Sequence, residues 1–128
     1  MPKVKIAVVD DEIEFVNDLA KGLELLGYEV YKAASGSHAI EVINRNKPEV
    51  VLCDYKLDDI DGIQVVSRTK PNNPKTVYIM VTAYYDESLA DTFKKAGASE
   101  VVYKPIQITE LDNTIKKVLD NIKQGNPR

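Results

Sequence analysis

The chain has 128 residues, 44% of them hydrophobic, and its 17 basic and 20 acidic side chains give a formal net charge of −3. This length suits one domain with a single core, and the slightly acidic balance excludes the broad basic surface that binds nucleic acid. Cys53 is the only cysteine, which excludes an internal disulfide, and the segment MPKVKIAVVDDE has no apolar run long enough for a signal peptide or a membrane span. We therefore expect a cytoplasmic protein that binds neither nucleic acid nor a membrane.

The first elements of the chain alternate between strand and helix. Residues 4–9 are mostly β-branched and apolar, which predicts a buried strand that ends at two acids. A helix is predicted next, because apolar residues recur at steps of three and four until Gly27 ends the pattern. Its apolar stripe consists of Ile13, Val16, Leu19, Ala20, Leu23 and Leu26. Residues 28–33 then predict a second strand, and residues 35–46 a second helix.

The third unit contains the most acidic loop of the chain. Residues 49–54 predict a strand, and the loop KLDDIDG follows it. Its acids Asp58, Asp59 and Asp61 are typical of a solvated loop, where they add local negative potential. A short apolar segment after the loop, which PNNPK ends, predicts a short third helix.

The remaining units repeat the pattern twice. Residues 76–81 predict the fourth strand, and Asp86 is placed to cap a helix after it. Residues 101–103 predict the fifth strand, and Thr109 with Asp112 resembles a capping pair for the last helix. We expect the inward side chains of that helix to be Leu111, Ile115, Val118, Leu119 and Ile122.

Five repeats of strand and helix indicate an α/β fold. Right-handed crossovers return each strand beside its neighbours, so the strands form a parallel sheet that is covered by helices on both faces. Eight repeats would be needed for the common α/β barrel, and an open, doubly wound sheet is therefore expected. Open parallel sheets bind their ligands at the carboxyl ends of the strands.

Charged side chains end three of these strands. Asp10 and Asp11 close the first, Asp54 closes the third, and Lys104 closes the fifth. Carboxylates gathered at one edge repel each other unless a cation lies among them, and oxygen ligands of this kind suit Mg²⁺. Lys104 and the hydroxyl of Thr82, which ends the fourth strand, would then bind the oxygens of a phosphoryl group. Because a carboxylate can act as a nucleophile, Asp54 is a candidate phosphoryl acceptor.

Each of these residues has an ordinary structural alternative when it is considered alone. Asp10 or Asp11 would more often cap a helix, and Asp54 would more often be a loop acid. Thr82 could be an ordinary hydroxyl at a strand end, and Lys104 an exposed lysine before a proline. The interpretation as a site depends on their joint spacing.

Four motifs in this order resemble the receiver domain of a two-component response regulator. They are the acid pair at Asp10, the motif DYKLDDIDG from Asp54, the TA at Thr82 and the KP at Lys104, and the resemblance spans residues 3–123. It implies a flavodoxin-like, five-stranded parallel sheet of order 2-1-3-4-5 with five helices, the order that is known for a member of this family. A receiver domain at residues 1–123 and a polar carboxyl-terminal tail at residues 124–128 are expected.

The resemblance also implies a chemical role for each site residue. Asp54 would accept a phosphoryl group from a phosphohistidine, and Mg²⁺ would be bound by Asp11, Asp54 and the backbone carbonyl of Lys56, with Asp10 contributing through water. Thr82 and Lys104 would bind the new phosphoryl oxygens. The domain would catalyse its own phosphorylation and, with water, its own dephosphorylation, without being a conventional turnover enzyme. The peptide before the proline of the KP motif would be cis.

The implied partners are a sensor histidine kinase or phosphotransfer protein and a downstream effector domain or protein. Phosphorylation would change the packing of the face formed by the fourth helix, the fifth strand and the fifth helix, and a homodimer that forms on phosphorylation is left open. Family members usually carry an aromatic residue three positions before the lysine, where this chain has Val101, and a proline where it has Asp58. Lys56 and Tyr84 would flank the phosphoryl group.

Three other functions remain open from the sequence. An aspartate-nucleophile phosphatase of the haloacid dehalogenase type normally needs a second acid two residues after the nucleophile, where this chain has Lys56. A flavodoxin-like electron carrier needs a hydroxyl-rich and glycine-rich loop after the first strand, where acids would repel the flavin phosphate. A degenerate receiver that binds partners without phosphorylation is the third alternative.

Overall fold

The computed structural model of the protein describes residues 2–123, in which strands and helices alternate along the chain. The elements are β1 Lys5–Val9, α1 Ile13–Leu25, β2 Glu29–Ala33, α2 Gly36–Asn46, β3 Val50–Cys53, α3 Gly62–Thr69, β4 Val77–Thr82, α4 Glu87–Ala96, β5 Ala98–Tyr103 and α5 Ile108–Lys123. A short 3₁₀ turn, Lys70–Asn72, follows α3. The predicted tail at residues 124–128 lies outside the described residues. Within residues 2–123, every helix is too short or too polar to cross a membrane.

All strand pairs are parallel, and the sheet has the order β2-β1-β3-β4-β5, which confirms the predicted fold. The register brings the strand ends together at the carboxyl edge. Val9 pairs with Cys53, so Asp10 and Asp54, the next residue of each strand, are neighbours at that edge. Thr82 at the end of β4 pairs with Tyr103 at the end of β5, so Lys104, the next residue after β5, lies at the same edge of the sheet.

The apolar core forms one layer on each face of the sheet. Alternate residues of a strand point to opposite faces, so Ile6 and Val8 pack with α1 and α5, whereas Ala7 and Val9 pack on the other face. The first layer also contains Val16, Leu19, Leu23, Leu111, Ile115 and Val118, and the second contains Ile43, Val65, Val66 and Phe93. The burial of each large side chain stabilises the fold by about 1.5–3 kcal/mol. The two layers hold the strand ends in a fixed arrangement.

The ends of two predicted helices differ from the expected pattern. Ile13 is the first residue of α1 and is 62% exposed, and Leu26, just after the helix, is 48% exposed. Ile122, in the last turn of α5, is 40% exposed and not inward as predicted. These residues follow the apolar period but lie at helix ends, where the sheet does not cover them. The fifth strand begins at Ala98, three residues before the predicted start.

The predicted capping pair of α5 is also wrong. The helix begins at Ile108, so Thr109 is already inside it. The carboxylate of Asp112 instead accepts a hydrogen bond of 2.5 Å from the hydroxyl of Tyr28. Burial, the bond to Asp112 and its negative charge raise the pKa of the Tyr28 phenol. A buried tyrosine hydroxyl needs an acceptor, and this one joins the start of β2 to α5.

The β3–α3 loop is more ordered than the sequence predicted, because two of its acids cap helices. Asp61 caps α3 in a capping box with Gln64. Asp59 accepts hydrogen bonds from the backbone N–H groups of Gly36 at 2.8 Å and Ser37 at 2.9 Å, and it also accepts from the Ser37 hydroxyl. Asp59 therefore caps the first turn of α2 from another loop. The loop that follows the candidate acceptor is fixed to α2.

Substituting Asp59 by alanine is expected to lower the thermal unfolding midpoint at neutral pH. Hydrogen bonds from the hydroxyl and N–H of Ser37 and from the N–H groups of Ile60 and Gly36 lower the pKa of Asp59. Because the folded pKa lies below the unfolded value, this contribution is complete above about pH 4 and is lost as the pH falls toward the folded pKa. Thermal melts from pH 7 downward should show the difference from wild type shrinking in acid. Equal melting temperatures at pH 7 would contradict this assignment.

Candidate functional site

Acidic side chains from two neighbouring strand ends meet at the carboxyl edge of the sheet. Asp10 and Asp11 follow β1, and Asp54 follows β3. One carboxylate oxygen from each of the three lies within 4.8 Å of the others. Asp10 and Asp54 are buried and Asp11 is partly buried. Buried like charges at this separation repel strongly, so the cluster requires a positive charge.

Lys104 supplies one positive charge from the end of β5. Its Nζ lies 2.8 Å from Asp10 Oδ2, 3.2 Å from Asp54 Oδ2 and 3.7 Å from Glu12 Oε1. The same atom lies 4.4 Å from the centre of the Phe15 ring. One ammonium therefore contacts two buried carboxylates together.

Backbone groups fix the second oxygen of each of these carboxylates. Asp10 Oδ1 accepts a hydrogen bond of 2.9 Å from the N–H of Glu12, and Asp54 Oδ1 accepts one of 2.7 Å from the N–H of Tyr55. Each carboxylate is thus held by an N–H group on one oxygen and by Lys104 on the other. Both oxygens of each carboxylate therefore have a fixed partner, which sets the orientation of the two side chains.

The local environment changes the protonation equilibria of the site. Burial raises the pKa of Asp54, Asp10 acts in the same direction, and Lys104 with the Tyr55 N–H only partly offsets these effects. Burial also raises the pKa of Asp11, and so do its hydrogen bond and charge repulsion with Asp58. For Lys104, burial lowers the pKa, but the bonds and charges of Asp10 and Asp54 outweigh it and the pKa is raised. The ammonium is therefore a stable positive charge at neutral pH.

An open cleft of about 540 Å³ lies above the cluster. Asp54 and Lys104 reach it, whereas Asp10 and Thr82 are buried behind it. The Thr82 hydroxyl accepts a hydrogen bond of 3.2 Å from the N–H of Tyr84. The cleft is lined by Asp11, Glu12, Asp54, Lys56, Leu57, Asp58, Ala83, Tyr84 and Lys104.

The donor set of this cleft fits a hard divalent cation. Five carboxylates belong to the cluster or the lining, from Asp10, Asp11, Glu12, Asp54 and Asp58, whereas Lys56 and Lys104 are the two lysines among the lining residues. Two positive charges cannot neutralise five negative ones. Mg²⁺ prefers oxygen ligands and keeps several waters, which an open cleft accommodates. The residues present therefore suit Mg²⁺.

The end of β5 differs from the usual family pattern in a specific way. Val101 is partly buried and packs against the core layer beneath α2, α3 and α4. The Tyr103 ring stacks on Tyr85 of the β4–α4 loop, with ring centres 4.1 Å apart and planes 14° apart. Tyr84 meets the ring of Tyr55 edge-on at 5.9 Å. The Lys104–Pro105 peptide is cis, as the resemblance implied.

Three contacts of the site were missed in the sequence, those made by Glu12, Phe15 and Asp58. Glu12 and Phe15 contact the site lysine, and Asp58 contacts Asp11. Phe15 lies in the first turn of α1, and its contact with Lys104 joins segments 89 residues apart, so no local pattern in the sequence predicts it. For Asp58, no local pattern distinguishes it from its acidic neighbours in the loop.

Comparisons with known proteins agree with this geometry. Residues 6–116 match the model of the response regulator receiver domain family. The chain is 31% identical over 119 residues to sporulation initiation phosphotransferase F of Bacillus subtilis, covering 93% of this chain and 96% of that protein. It is 34% identical to the transcriptional regulatory protein ZraR of Escherichia coli over 91% of this chain, but it spans only 26% of that relative's length.

A solved structure has the same fold over nearly the whole chain. The CheY-like response regulator receiver domain protein of Methanospirillum hungatei superimposes with a TM-score of 0.92 at 28% identity, covering 97% of this chain and 99% of that one. The family match covers most of the chain, and the sheet order and acidic cleft described above agree with it. The chain therefore belongs to the response regulator receiver domain family of two-component signal transduction.

Proposed function

We propose that Asp54 is the phosphoryl acceptor of this receiver domain. A carboxylate oxygen of Asp54 attacks the phosphorus of a donor phosphohistidine, an O–P bond forms, and the P–N bond breaks with its electron pair leaving on the imidazole, which takes up a proton. In dephosphorylation, a water oxygen attacks the phosphorus and the P–O bond to Asp54 breaks. Inorganic phosphate leaves and the carboxylate returns.

The observation that carries this proposal is that Asp54 both lines the cleft and contacts Lys104. Asp54 lines the cleft, and its Oδ2 lies 3.2 Å from the lysine Nζ. Asp10 has a closer contact with the same lysine but is only 1% exposed. Asp11 lines the cleft but contacts the carboxyl group of Asp58. Among the three acids, only Asp54 both lines the cleft, where a phosphoryl donor can reach it, and contacts the Lys104 ammonium.

We assign the Mg²⁺ ligands to Asp11, Asp54 and the backbone carbonyl of Lys56, with Asp10 contributing through water. The ion, when bound, offsets negative charge on the phosphoryl oxygens. The residues of the chain do the rest: Lys104 neutralises another oxygen, and the Tyr55 N–H orients the Asp54 carboxylate. Transfer of this kind depends mainly on positioning and charge neutralisation.

The proposed output is a change at the face of α4, β5 and α5. The Thr82 hydroxyl is fully buried and accepts a hydrogen bond from the Tyr84 N–H, so it would have to move toward the cleft for its own proton to reach a phosphoryl oxygen. That movement would alter the β4–α4 loop, which contacts β5 through the stack of Tyr85 on Tyr103. Added negative charge can shift such a loop between two packings.

The proposed partners are a phosphohistidine donor, from a sensor kinase or a phosphotransfer protein, and an effector. The effector is proposed because the chain spans only about a quarter of the length of the transcriptional regulatory protein ZraR. The effector is either a further domain of the same protein or a separate protein. We propose that residues 1–123 act as the receiver domain, and that it works in the reducing cytoplasm, which suits the free thiol of Cys53.

Incubation with acetyl phosphate tests this function directly. With Mg²⁺ the wild-type protein should gain the mass of one phosphoryl group, and with a chelator in place of Mg²⁺ the gain should be much slower. The acyl phosphate should then decay by hydrolysis. Absence of the mass gain would contradict the proposal, and sustained turnover of phosphate esters would favour an aspartate-nucleophile phosphatase.

A further inference from the structure

One contact of the site lysine is with an aromatic ring of α1. The Lys104 ammonium lies 4.4 Å from the centre of the Phe15 ring, which is partly buried against the core layer of α1 and α5. A cation at this distance over a ring face is attracted by the ring's quadrupole. The ring faces an ammonium whose other contacts are all with carboxylates.

We propose that Phe15 is a positioning residue that holds the Lys104 ammonium in place for phosphoryl transfer. This inference rests on the proposed function of Asp54 as acceptor. Phe15 acts through Lys104 and does not touch the reacting atoms. The first turn of α1 would in this way set the position of the Lys104 ammonium.

An aromatic ring is suited to this task because it is neutral. A further carboxylate near Lys104 would also hold the ammonium, but it would repel the incoming phosphoryl group in a cleft that already has several acids. The Phe15 ring attracts the cation without that repulsion. It also presents an apolar surface to one side of the ammonium, so fewer waters compete for that side.

Glu12, the residue just before α1, provides a useful comparison. Its Oε1 lies 3.7 Å from the Lys104 Nζ, but its side chain is 72% exposed. Exposed ion pairs of this kind are screened by solvent and contribute little. The Phe15 ring is partly buried, and its contact with the ammonium is screened less. We therefore expect Phe15, and not Glu12, to be the main residue of this segment that positions Lys104.

Proton NMR of the unphosphorylated protein tests the contact itself. In the wild type, the ε-methylene protons of Lys104 should be shifted upfield by the ring current of Phe15. Phe15→Tyr keeps a ring and should keep the shift, whereas Phe15→Leu keeps the apolar packing and should abolish it. An unshifted Lys104 signal in the wild type, or the same shift in Phe15→Leu, would overturn the inference.

Phosphorylation by acetyl phosphate tests the consequence. We expect the rate constant of Phe15→Leu to fall by about threefold to tenfold, the range of a partly desolvated cation–π contact. Phe15→Tyr should restore the rate to within about twofold of wild type, because it restores the ring face. Equal rates for the leucine and tyrosine variants would overturn the inference. Failure of the wild type to be phosphorylated would instead overturn the proposed function, while the NMR result would stand.

Discussion

Replacing Lys104 by methionine is expected to slow phosphorylation by about 10²–10³-fold, the usual cost of removing one group that stabilises the charge of a transition state. The same variant should bind Mg²⁺ more tightly, by about tenfold, because the ammonium no longer offsets the charges of its two carboxylate partners. In the wild type, the Lys104 Nζ lies 2.8 Å from Asp10 Oδ2 and 3.2 Å from Asp54 Oδ2. The two effects have opposite signs, which a general loss of structure would not produce.

Acetyl phosphate kinetics and calorimetric Mg²⁺ titration would measure these two effects. Lys70→Met is a matched control, because Lys70 is also partly buried and also lies over an aromatic ring, that of Tyr78 at 5.4 Å. It lies beside α3, away from the cleft lining, and should leave both quantities unchanged. A Lys104→Met variant that binds Mg²⁺ more weakly than wild type would contradict the electrostatic description of the site.

Gly62→Ala is expected to destabilise the protein by about 1–3 kcal/mol through overpacking. A β-carbon at Gly62 would lie 2.3 Å from the backbone oxygen of Asp54 and 2.7 Å from Met80 Cε. The Gly62 N–H also donates a hydrogen bond of 2.7 Å to the carbonyl of Tyr55. The clash is with backbone, so the start of α3 must move away from the acceptor residue.

Gly22→Ala is the matched control for this substitution. Gly22 lies inside α1, and its β-carbon would meet only the flexible end of Ile108 at 3.3 Å. Alanine in a helix interior is favoured over glycine by about 0.5–1 kcal/mol, which should offset that contact. Urea unfolding of both variants would measure the free energies. If Gly62→Ala were as stable as Gly22→Ala, the close approach of α3 to the acceptor would be in doubt.

The arrangement of strand ends was predictable because it depends on two regular features of the chain. Apolar runs marked the strands, and a parallel sheet brings their carboxyl ends to one edge. Val9 and Cys53 are paired across β1 and β3, and Asp10 and Asp54 are the next residues of the chain. Their proximity could therefore be predicted once β1 and β3 were taken to be neighbouring strands. The contact of Lys104 with both carboxylates was not predicted, because β4 lies between β5 and β3 and the lysine side chain must reach across the edge of the sheet.

The roles of the loop acids were not predictable, because they depend on contacts between distant segments. Asp58, Asp59 and Asp61 look alike in the sequence, yet each has a different partner. Asp61 caps its own helix, Asp59 caps α2, and Asp58 approaches Asp11. Only Asp61 has a local signal, the glutamine three residues later that completes its capping box.

The aromatic contacts of the β4–α4 loop also required the structure. Tyr103 shares a strand face with Val101 by simple alternation, but the stack of Tyr85 on it depends on how the loop turns after Thr82. Tyr84 turns toward Tyr55, beside the acceptor. Loop conformation is set by tertiary packing, which strand and helix periods do not encode.

The most direct test of the central claim, that Asp54 takes up the phosphoryl group, is intact-mass measurement of three proteins after incubation with acetyl phosphate and Mg²⁺. Wild type and Asp59→Asn, a matched change at the exposed helix cap, should each gain the mass of one phosphoryl group. Asp54→Asn should gain none, because an amide cannot form the acyl phosphate. A gain in Asp54→Asn at the wild-type rate would contradict the account and would place the acceptor at another residue.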